Sequence, residues 1–412
     1  MKAEIIAVGS ELLTPFRLDT NSLYLTEQLE RLGIPVVQKT VVGDDPQRLK
    51  LAFSDALKRA ELVIGVGGLG PTEDDRTREA VAELLGRKLE RKHEVVALME
   101  ARFRARGKKM PAVNLRQALV PEGAEWLPND NGTAPGLWLT TEEEKIVLLL
   151  PGPPPELKPM FEEYCLPRLR PRLPKQAFAS KVLKVVGLAE SEVEERIAPI
   201  YRESRNPTTT MLASPGQIEI HLRATGSDAG AALRRVEELG ERLEAALGNS
   251  IFSRGPENLE QVVGLSLMMR GATLAVAESC TGGLVAQRLT TVPGSSHYFL
   301  GGVVCYSDRL KAQLLHVSEQ LLRRKGAVSP EVADALAKGV RRRARAVLGL
   351  GVTGIAGPEG GAPDKPVGTV FLALADSRRA KNEKHRFLGD RERIRWQAAQ
   401  AALDLVRRQL LK

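Results

Sequence analysis

Residues 272–283 read ATLAVAESCTGG, an apolar run that leads into Ser279, Cys280 and Thr281 and then into two glycines. The apolar run predicts a buried strand, and the glycines predict a tight turn that opens a helix. The N-terminus of a helix presents backbone N–H groups, which stabilise an anion or a developing oxyanion. This stretch therefore predicts an α/β fold with an enzyme site where the strand ends.

The length and composition of the chain limit which classes of protein are possible. A chain of 412 residues favours two or three domains. The hydrophobic content of 43% and charged content of 27% are typical of a globular protein. No apolar run approaches the roughly 20 residues that span a bilayer. Because the apolar stretch at the N-terminus is too short for a signal peptide, we expect a cytoplasmic protein without a membrane segment.

Cysteine usage and charge narrow the possible partners. The three cysteines, Cys165, Cys280 and Cys305, have no metal-type spacing, so neither a disulfide framework nor a zinc site is expected. The net charge of +9 suits anionic partners such as nucleotides, phosphates or nucleic acid, but a solvated arginine-rich surface is the favoured explanation. The arginine-rich segment 341–345 has no interleaved aromatic residues, which argues against nucleic acid.

Three segments with different patterns follow one another along the chain. Residues 1–165 alternate between strand and helix, which predicts a parallel sheet covered on both faces, with ligands bound beyond the carboxyl ends of its strands. A proline-dense stretch from Pro151 to Pro174 marks the first boundary, and the second lies near Ser253. The predicted domains are therefore 1–170, 171–252 and 253–412.

Apolar periodicity places the main elements of these domains. In the first domain we predict strands at Ala3–Val8, Pro35–Val42 and Leu62–Val66 and helices at Thr20–Leu32, Pro46–Ala60 and Thr72–Leu85. In the middle domain we predict strands at Ser180–Val186 and Gln217–Arg223 and helices at Ser191–Tyr201 and Asp228–Leu247. In the last domain we predict helices at Asp308–Val317 and Asp390–Leu411.

A glycine-rich loop, GVGGLG at 65–70, lies between a predicted strand and a predicted helix. It satisfies G-x-G-x-x-G, but it follows the third strand and runs into Pro71, which argues against a dinucleotide fold. Glu73, Asp74 and Asp75 would then lie in the first turn of the helix, where they would repel a bare pyrophosphate. A divalent cation such as Mg²⁺ would remove that conflict. Simple helix capping explains the same acids about as well.

Several motifs together carry a resemblance to a known family. Gly9–Leu13, Asp19–Asn21 and LPGPP at 150–154 resemble the molybdopterin-binding-type domain of molybdenum-cofactor proteins. With GGLGPTEDD at 67–75, AESCTGG at 277–283 and GIAGPEGG at 354–361, the whole chain resembles the CinA (competence/damage-inducible protein A) family. The resemblance implies three domains: a molybdopterin-binding-like α/β sandwich, a small α+β KH-like linker and a C-terminal α/β amidase domain.

For the first domain, the resemblance implies metal-dependent hydrolysis of ADP-ribose to AMP and ribose 5-phosphate. Matched onto this sequence, the metal would be held by Asp44 and Asp75. The nucleotide and its phosphates would be bound by Glu11, Asp19, Gly67, Gly68, Gly70, Thr72, Gly152 and Pro153. The middle domain lacks a GxxG loop, since its nearest approach is Ser214–Gln217, and we interpret it as a spacer or dimerisation module.

For the last domain, the resemblance implies deamidation of nicotinamide mononucleotide (NMN) to nicotinic acid mononucleotide and ammonia, without a cofactor. Ser279 and Ser296 are the two candidate serines, with Tyr306 and Lys311 on the side of the base. We favour Ser296 as the nucleophile and Ser279 as a positioning or oxyanion group. Cys280 is a rival nucleophile that we interpret as a small buried residue.

The predicted site also needs a lysine that can act as a base and residues that bind the substrate. A lysine acts as a base only when burial or a cationic neighbour lowers its pKa, and Arg309 and Arg391 are candidate neighbours of Lys311. The glycine turn after Thr353 would bind the NMN phosphate, and Arg391 would add a phosphate or carboxamide contact. The predicted substrate-binding residues are Thr281, Gly282, Gly283, Thr353, Gly354, Gly357 and Arg391.

A competing hypothesis assigns no hydrolase activity to the chain. It describes a molybdopterin-binding protein, or a binding protein related to competence or DNA damage, which fits the positive charge. A DNA partner would give a strongly salt-dependent affinity, but no segment resembles a base-reading element. We therefore favour small nucleotides as the partners, and from the family resemblance we expect a homodimer.

Overall fold

The computed structural model describes residues 1–173 and 177–411. The chain folds into two compact units, Met1–Phe178 and the part from Ala179 onward. The proline-dense stretch predicted as the first boundary ends at Pro174, which lies outside the described residues.

The first unit contains eight strands and six α-helices among its described residues. The strands are β1 (Ala3–Val8), β2 (Val36–Val42), β3 (Leu62–Val66), β4 (Leu89–Arg91), β5 (Leu119–Pro121), β6 (Glu125–Leu127), β7 (Gly136–Thr140) and β8 (Ile146–Leu150). The helices are α1 (Asn21–Arg31), α2 (Pro46–Arg59), α3 (Thr77–Leu84), α4 (His93–Ala105), α5 (Pro154–Met160) and α6 (Leu166–Leu169). Shorter helical turns lie at Ser10–Leu13, Ala112–Ala118, Phe161–Cys165 and Arg170–Arg172.

The main sheet of this unit has the strand order β2-β1-β3-β8-β7-β6. The first four strands are parallel, as the alternating pattern predicts, whereas β7 and β6 are antiparallel. The short turn between β7 and β8 leaves no room for a crossover helix, so these two strands form a hairpin. Successive strand residues pack on opposite faces, with Ile5 against Leu25 of α1 on one face and Ile6 with Phe53 of α2 on the other.

The helix predicted at Thr72–Leu85 begins five residues later, at Thr77. The Thr72 N–H donates to Asp75 Oδ2 at 2.9 Å, and the Thr72 hydroxyl donates to Asp74. These local bonds offer the backbone an alternative to a helical turn. The placement of Glu73, Asp74 and Asp75 in the first turn of a helix was therefore wrong, because they lie in the loop that precedes it.

The second unit contains the remaining elements. The strands are β9 (Ala177–Val186), β10 (Thr208–Ser214), β11 (Gln217–Gly226), β12 (Ile251–Ser253), β13 (Leu274–Glu278), β14 (Phe299–Val304), β15 (Leu348–Gly354), β16 (Thr369–Ala375) and β17 (Ala380–Arg386). The helices are α7 (Glu190–Tyr201), α8 (Ala229–Leu247), α9 (Leu259–Met269), α10 (Leu284–Thr290), α11 (Asp308–Leu315), α12 (Glu319–Lys325), α13 (Pro330–Ala344) and α14 (Arg391–Leu410). Short 3-10 turns lie at Gly248–Ser250 and Ser295–His297.

Two sheets organise this unit. The smaller has the order β10-β11-β9-β12, and β10 and β11 form an antiparallel hairpin whose turn is the Ser214–Gln217 segment. The larger has the order β14-β13-β15-β16-β17, with β14, β13 and β15 parallel and the last two strands antiparallel. The predicted α/β class is thus confirmed, with mixed rather than purely parallel sheets. Among the described residues, no helix combines the length and the apolar character needed to cross a membrane.

Candidate functional site

A cavity of about 330 Å³ lies in the first unit, where the parallel strands β1, β3 and β8 end. Ligands bind at this edge of open α/β sheets, so its position agrees with the sequence-based expectation. Nine of the ten residues predicted for this site line the cavity: Glu11, Asp44, Gly67, Gly68, Gly70, Thr72, Asp75, Gly152 and Pro153.

The glycine-rich loop owes its shape to residues without a side chain. Gly67 and Gly68 adopt φ values of 103° and 67°, which glycine reaches at little cost. A Cβ on Gly67 would stand 2.3 Å from the carbonyl oxygen of Val8. The loop therefore lies against the end of β1, which brings its backbone to the wall of the cavity.

The backbone N–H groups of this loop are its possible hydrogen-bond donors to a ligand. The Gly67 N–H is occupied, since it donates to the carbonyl oxygen of Leu150 at 2.9 Å. Across residues 1–173 and 177–411, the N–H groups of Gly68, Leu69 and Gly70 find no acceptor. Three successive free donors at a cavity wall form a concavity suited to phosphate oxygens.

The acids at this cavity are held by local hydrogen bonds. Asp44 Oδ2 accepts from the Ser10 N–H at 2.9 Å and from the Ser10 hydroxyl at 2.6 Å. Asp75 Oδ2 accepts from Thr72, which leaves Oδ1 of each aspartate available. Within the described ranges, no group of three or more His, Cys, Asp or Glu side chains could hold a metal ion unaided. The donor set instead fits Mg²⁺ shared between one or two carboxylates and the phosphates of a ligand.

Asp19 does not line the cavity, and the structure gives it a different role. Its Oδ1 accepts the Ser22 N–H at 2.9 Å, so it satisfies an unpaired donor in the first turn of α1. The neighbouring Asn21 instead approaches the site, because its Nδ2 donates to the carbonyl oxygen of Gly152 at 2.6 Å. The structure thus places Asp19 at the start of α1 and not in the lining of this cavity, since an aspartate just before a helix favours capping.

Several cavity residues were missed from the sequence. They are Gln117, Thr133 and Glu156. Arg116 also supports the site, because its Nη1 donates to the carbonyl oxygen of Thr72 at 2.8 Å while its Nε pairs with Glu79. Arg116 is far from the loop in the chain and carries no motif, so only the fold reveals this contact.

A second candidate site lies in the second unit, at the edge where β13, β14 and β15 end. These strands are parallel, so the segments that follow them meet at one edge of the sheet. Ser279 follows β13, Tyr306 lies in the loop after β14, and Gly354 is the last residue of β15. The predicted catalytic and substrate-binding segments, apart from that of Ser296, are therefore brought together.

The donors at the start of α10 are already occupied by a residue of the chain itself. The buried carboxylate of Glu278 accepts from the N–H groups of Gly283 and Val285 through Oε2, at 3.0 and 3.1 Å. Its Oε1 accepts from the N–H of Ala286 at 2.8 Å. The expectation that these donors stabilise an external oxyanion was wrong, because an internal carboxylate already fills the position that the helix dipole favours.

Lys311 is buried, with only 1% of its surface exposed. Its Nζ donates to the carbonyl oxygen of Tyr306 at 3.1 Å, and the nearest carboxylate oxygen, on Asp308, is 3.6 Å away. Arg391, a predicted neighbour of this amine, donates to the Tyr306 hydroxyl at 2.8 Å and to the Gly357 carbonyl oxygen at 2.7 Å. Arg391 therefore ties the loop after β14 to the loop after β15.

Ser296 lies at the opposite edge of the sheet. It belongs to the 3-10 turn that precedes β14, and the start of β14 pairs in parallel with Leu274, at the start of β13. Ser279 follows the other end of β13, so the strand length alone separates the two serines by at least about 13 Å. The predicted convergence of Ser296 with Ser279 and Lys311 within one chain is therefore not found.

The remaining predicted binding residues are arranged around Ser279. Thr281 is fully buried, and its hydroxyl has no partner among the described residues. Gly282 and Gly283 adopt positive φ values of 61° and 95° in the turn before α10. The Thr353 hydroxyl donates to the carbonyl oxygen of Ala327 at 2.7 Å, so it serves the fold. Gly357, with φ 80°, turns the loop that contacts Arg391.

The surroundings of Cys280 disfavour a role as the nucleophile. Burial raises the pKa of its thiol to about 12. The thiolate, which is the reactive form, is therefore scarce at neutral pH. The interpretation of Cys280 as a small buried residue agrees with this environment.

Fold and sites together define a three-domain α/β protein with a molybdopterin-binding-like first domain. Residues 4–171 match the probable molybdopterin binding domain, residues 180–253 the damage-inducible protein CinA KH domain, and residues 256–410 the CinA C-terminal domain. The chain is 49% identical to a CinA-like protein of Koribacter versatilis and 43% identical to a putative competence-damage inducible protein of Caldicellulosiruptor saccharolyticus, each alignment covering 100% of both chains. The protein belongs to the CinA family.

A solved structure resembles part of the chain. It is that of a competence-damaged protein (CinA) superfamily protein from Klebsiella pneumoniae, which is 32% identical. The match covers 38% of this chain and 99% of that one, with a TM-score of 0.36.

Proposed function

We propose that this protein is a bifunctional hydrolase of pyridine-nucleotide salvage. Its second unit would deamidate NMN to nicotinic acid mononucleotide and ammonia, and its first unit would hydrolyse ADP-ribose to AMP and ribose 5-phosphate. The observation that carries the deamidase proposal is the single sheet edge shared by Ser279, the buried Lys311 and the Arg391-bound Tyr306.

In the deamidase reaction, the Ser279 hydroxyl attacks the carboxamide carbon while Lys311 acts as the base that takes its proton. The tetrahedral adduct expels ammonia, which carries away the proton held by Lys311. Water then attacks the Ser279 ester, and its proton returns through Lys311 to the serine oxygen. Ser279 replaces Ser296 as the proposed nucleophile, because Ser296 lies at the far edge of the sheet.

In the ADP-ribose reaction, the free N–H groups of Gly68, Leu69 and Gly70 bind the diphosphate oxygens. Asp44 and Asp75 are the residues that would hold a divalent cation together with those oxygens. When bound, such a cation neutralises the diphosphate and activates the attacking water. The proposal rests on the free donors and the acids lining one cavity of suitable size.

We further propose a cytoplasmic homodimer that acts on free nucleotides without nucleic acid or a membrane. The middle domain supports this view, because its Ser214–Gln217 segment is a hairpin turn rather than a GxxG loop between helices. The second candidate function is a role in competence or DNA damage, because the names of relatives contain these words. Filter binding of DNA at two salt concentrations distinguishes that candidate from the hydrolase.

The deciding experiment measures ammonia release from NMN by the purified protein and by two matched serine variants. Ser279→Ala should lower kcat at least about a thousandfold, because the attacking oxygen is lost. Ser296→Ala tests the alternative nucleophile under the same conditions. Absence of ammonia with the folded wild-type protein would refute the deamidase proposal, and a loss confined to Ser296→Ala would refute the assignment of Ser279.

A further inference from the structure

A second cavity in the same unit, of about 580 Å³, lies between the β10–β11 hairpin and helices α9, α10 and α14. The hairpin contributes Ser214, Pro215 and Gln217. The helices and their first residues contribute Asn258, Glu260, Arg288, Asp390, Glu392, Arg393, Trp396 and Gln400. The proposed deamidase chemistry uses none of these residues.

The cavity is separate from the edge that carries Ser279. Arg391 and Arg395 occupy one face of α14 and contact Tyr306 and Thr281. At 100° per residue, Glu392 and Trp396 lie on a different face of that helix. A ligand in this cavity therefore has its own set of contacts.

Trp396 is the main apolar wall of this cavity. Its side chain is 41% exposed, and the guanidinium of Arg288 lies 4.8 Å from the centroid of its ring. Arg288 itself is only 4% exposed and is anchored by Glu260 at 2.6 Å and by Gln400 at 2.7 Å. An anchored cation thus holds the indole from one side and leaves a large part of the ring available to a ligand.

The guanidinium of Arg288 lies over the indole while it is paired with Glu260, and this placement influences which ring stacks on the indole. A cation over one face draws π-electron density towards itself, so the ring becomes a poor partner for a second cation. A neutral, electron-rich ring such as a purine is the better stacking partner, and a pyridinium ring is the worse one. We therefore expect the pyridinium ring of the proposed deamidase substrate to bind here less well than a purine.

Two charged side chains supply polar contacts beside the indole. Glu392 and Arg393 both line the cavity, and neither side chain has a hydrogen-bond or ion-pair partner within residues 1–173 and 177–411. A carboxylate accepts a bond from an exocyclic amine, and a guanidinium binds a phosphate in bidentate fashion. We infer that this cavity binds a purine nucleotide, with the base on Trp396, its amino group at Glu392 and its phosphate at Arg393.

The test uses the fluorescence of Trp396 and AMP as the probe. The chain has three tryptophans, and Trp126→Phe with Trp138→Phe leaves Trp396 as the only tryptophan. AMP should quench this emission saturably, whereas NMN at the same concentrations should not. Calorimetry of AMP binding to the wild-type chain and to Trp396→Leu provides a second measurement if the double variant folds poorly. Heat that Trp396→Leu retains is assigned to the first unit, whose proposed reaction releases AMP.

A matched pair of arginine variants tests the phosphate contact. Arg393→Ala should weaken AMP binding about tenfold and leave adenosine binding unchanged. Arg342→Ala, on the exposed face of α13, should alter neither. The inference is overturned if AMP gives no saturable quenching and Trp396→Leu loses no binding heat, or if the two arginine variants behave alike. Because ammonia release from NMN is measured separately, failure here is distinguishable from failure of the proposed function.

Discussion

Arg391 donates a hydrogen bond of 2.8 Å from Nη2 to the hydroxyl of Tyr306. Its Nη1 donates at 2.7 Å to the carbonyl oxygen of Gly357. One planar guanidinium thus joins the loops that follow β14 and β15, and it does so from the first turn of α14. The loop after β14 also carries the carbonyl oxygen to which Lys311 donates, so Arg391 positions the surroundings of the proposed base.

Replacing Arg391 by lysine should therefore lower kcat/KM for NMN by roughly ten- to a hundredfold. The ammonium of lysine is a point donor and does not reproduce the planar geometry that bonds both partners at once. Ammonia release under initial-rate conditions measures the effect. Arg323→Lys is the control, because Arg323 is exposed on α12 and pairs with the exposed Glu319. Equal activity of the two variants would remove Arg391 from this role.

Two buried strands made mostly of apolar residues were predicted with the right boundaries. The strands Ala3–Val8 and Leu62–Val66 are found as expected, since every residue of each is buried in a parallel sheet. The strand β10 was missed, because Thr208–Ser214 is polar and mostly exposed and shows no clear apolar alternation. Its stability comes from pairing with β11, which the periodicity of one segment does not reveal.

The candidate sites were predicted only in part, because a motif shows which strand it follows but not which other segments lie beside it. Motif position located the glycine-rich cavity, because each glycine there follows a parallel strand. Ser296 and Lys311 are close in sequence, but β14 lies between them and carries the chain from one edge of the sheet to the other. Two residues that flank one strand are therefore expected to lie at opposite ends of it, even when they are close in sequence.

Glu278 is the clearest side chain whose role emerges only from the fold. Glu278→Gln should lower the free energy of unfolding by about 2 kcal/mol, because one amide oxygen replaces a carboxylate that accepts three N–H bonds. Urea unfolding followed by circular dichroism measures the loss. Glu319→Gln, at an exposed position on α12, is the matched control, and an equal stability of both variants would contradict the prediction.

Asp75 tests the proposed metal chemistry of the first unit. Asp75→Asn keeps an oxygen for the Thr72 N–H but removes the negative charge, so AMP release from ADP-ribose should fall roughly ten- to a hundredfold. A chelator should abolish the same activity, and added Mg²⁺ should restore it. The control is Asp55→Asn on α2, where the aspartate is exposed and pairs with Lys58. Unchanged hydrolysis by Asp75→Asn would remove that residue from the metal assignment.

Glu383 on β17 should make the stability of the second unit depend on pH. Its carboxylate bonds to His385 at 3.3 Å, to Arg408 at 2.8 and 2.9 Å and to Lys381 at 3.0 Å. The hydrogen bond to His385, followed by those to Arg408 and Lys381, holds the pKa of Glu383 far below its usual range against the effect of burial. Folding is therefore linked to the loss of this proton.

The sign follows from the direction of the shift. A carboxyl group whose pKa is lower in the folded state stabilises the protein above its unfolded pKa, about 4.3 for Glu. That stabilisation is lost as the pH falls from this value towards the folded pKa. Glu383→Gln should therefore cost on the order of 2 kcal/mol at pH 6 and progressively less below about pH 4. Urea unfolding of both proteins at pH 6, 4 and 3 measures the difference, and a gap that stays constant over this range would show that the ionised Glu383 contributes nothing to it.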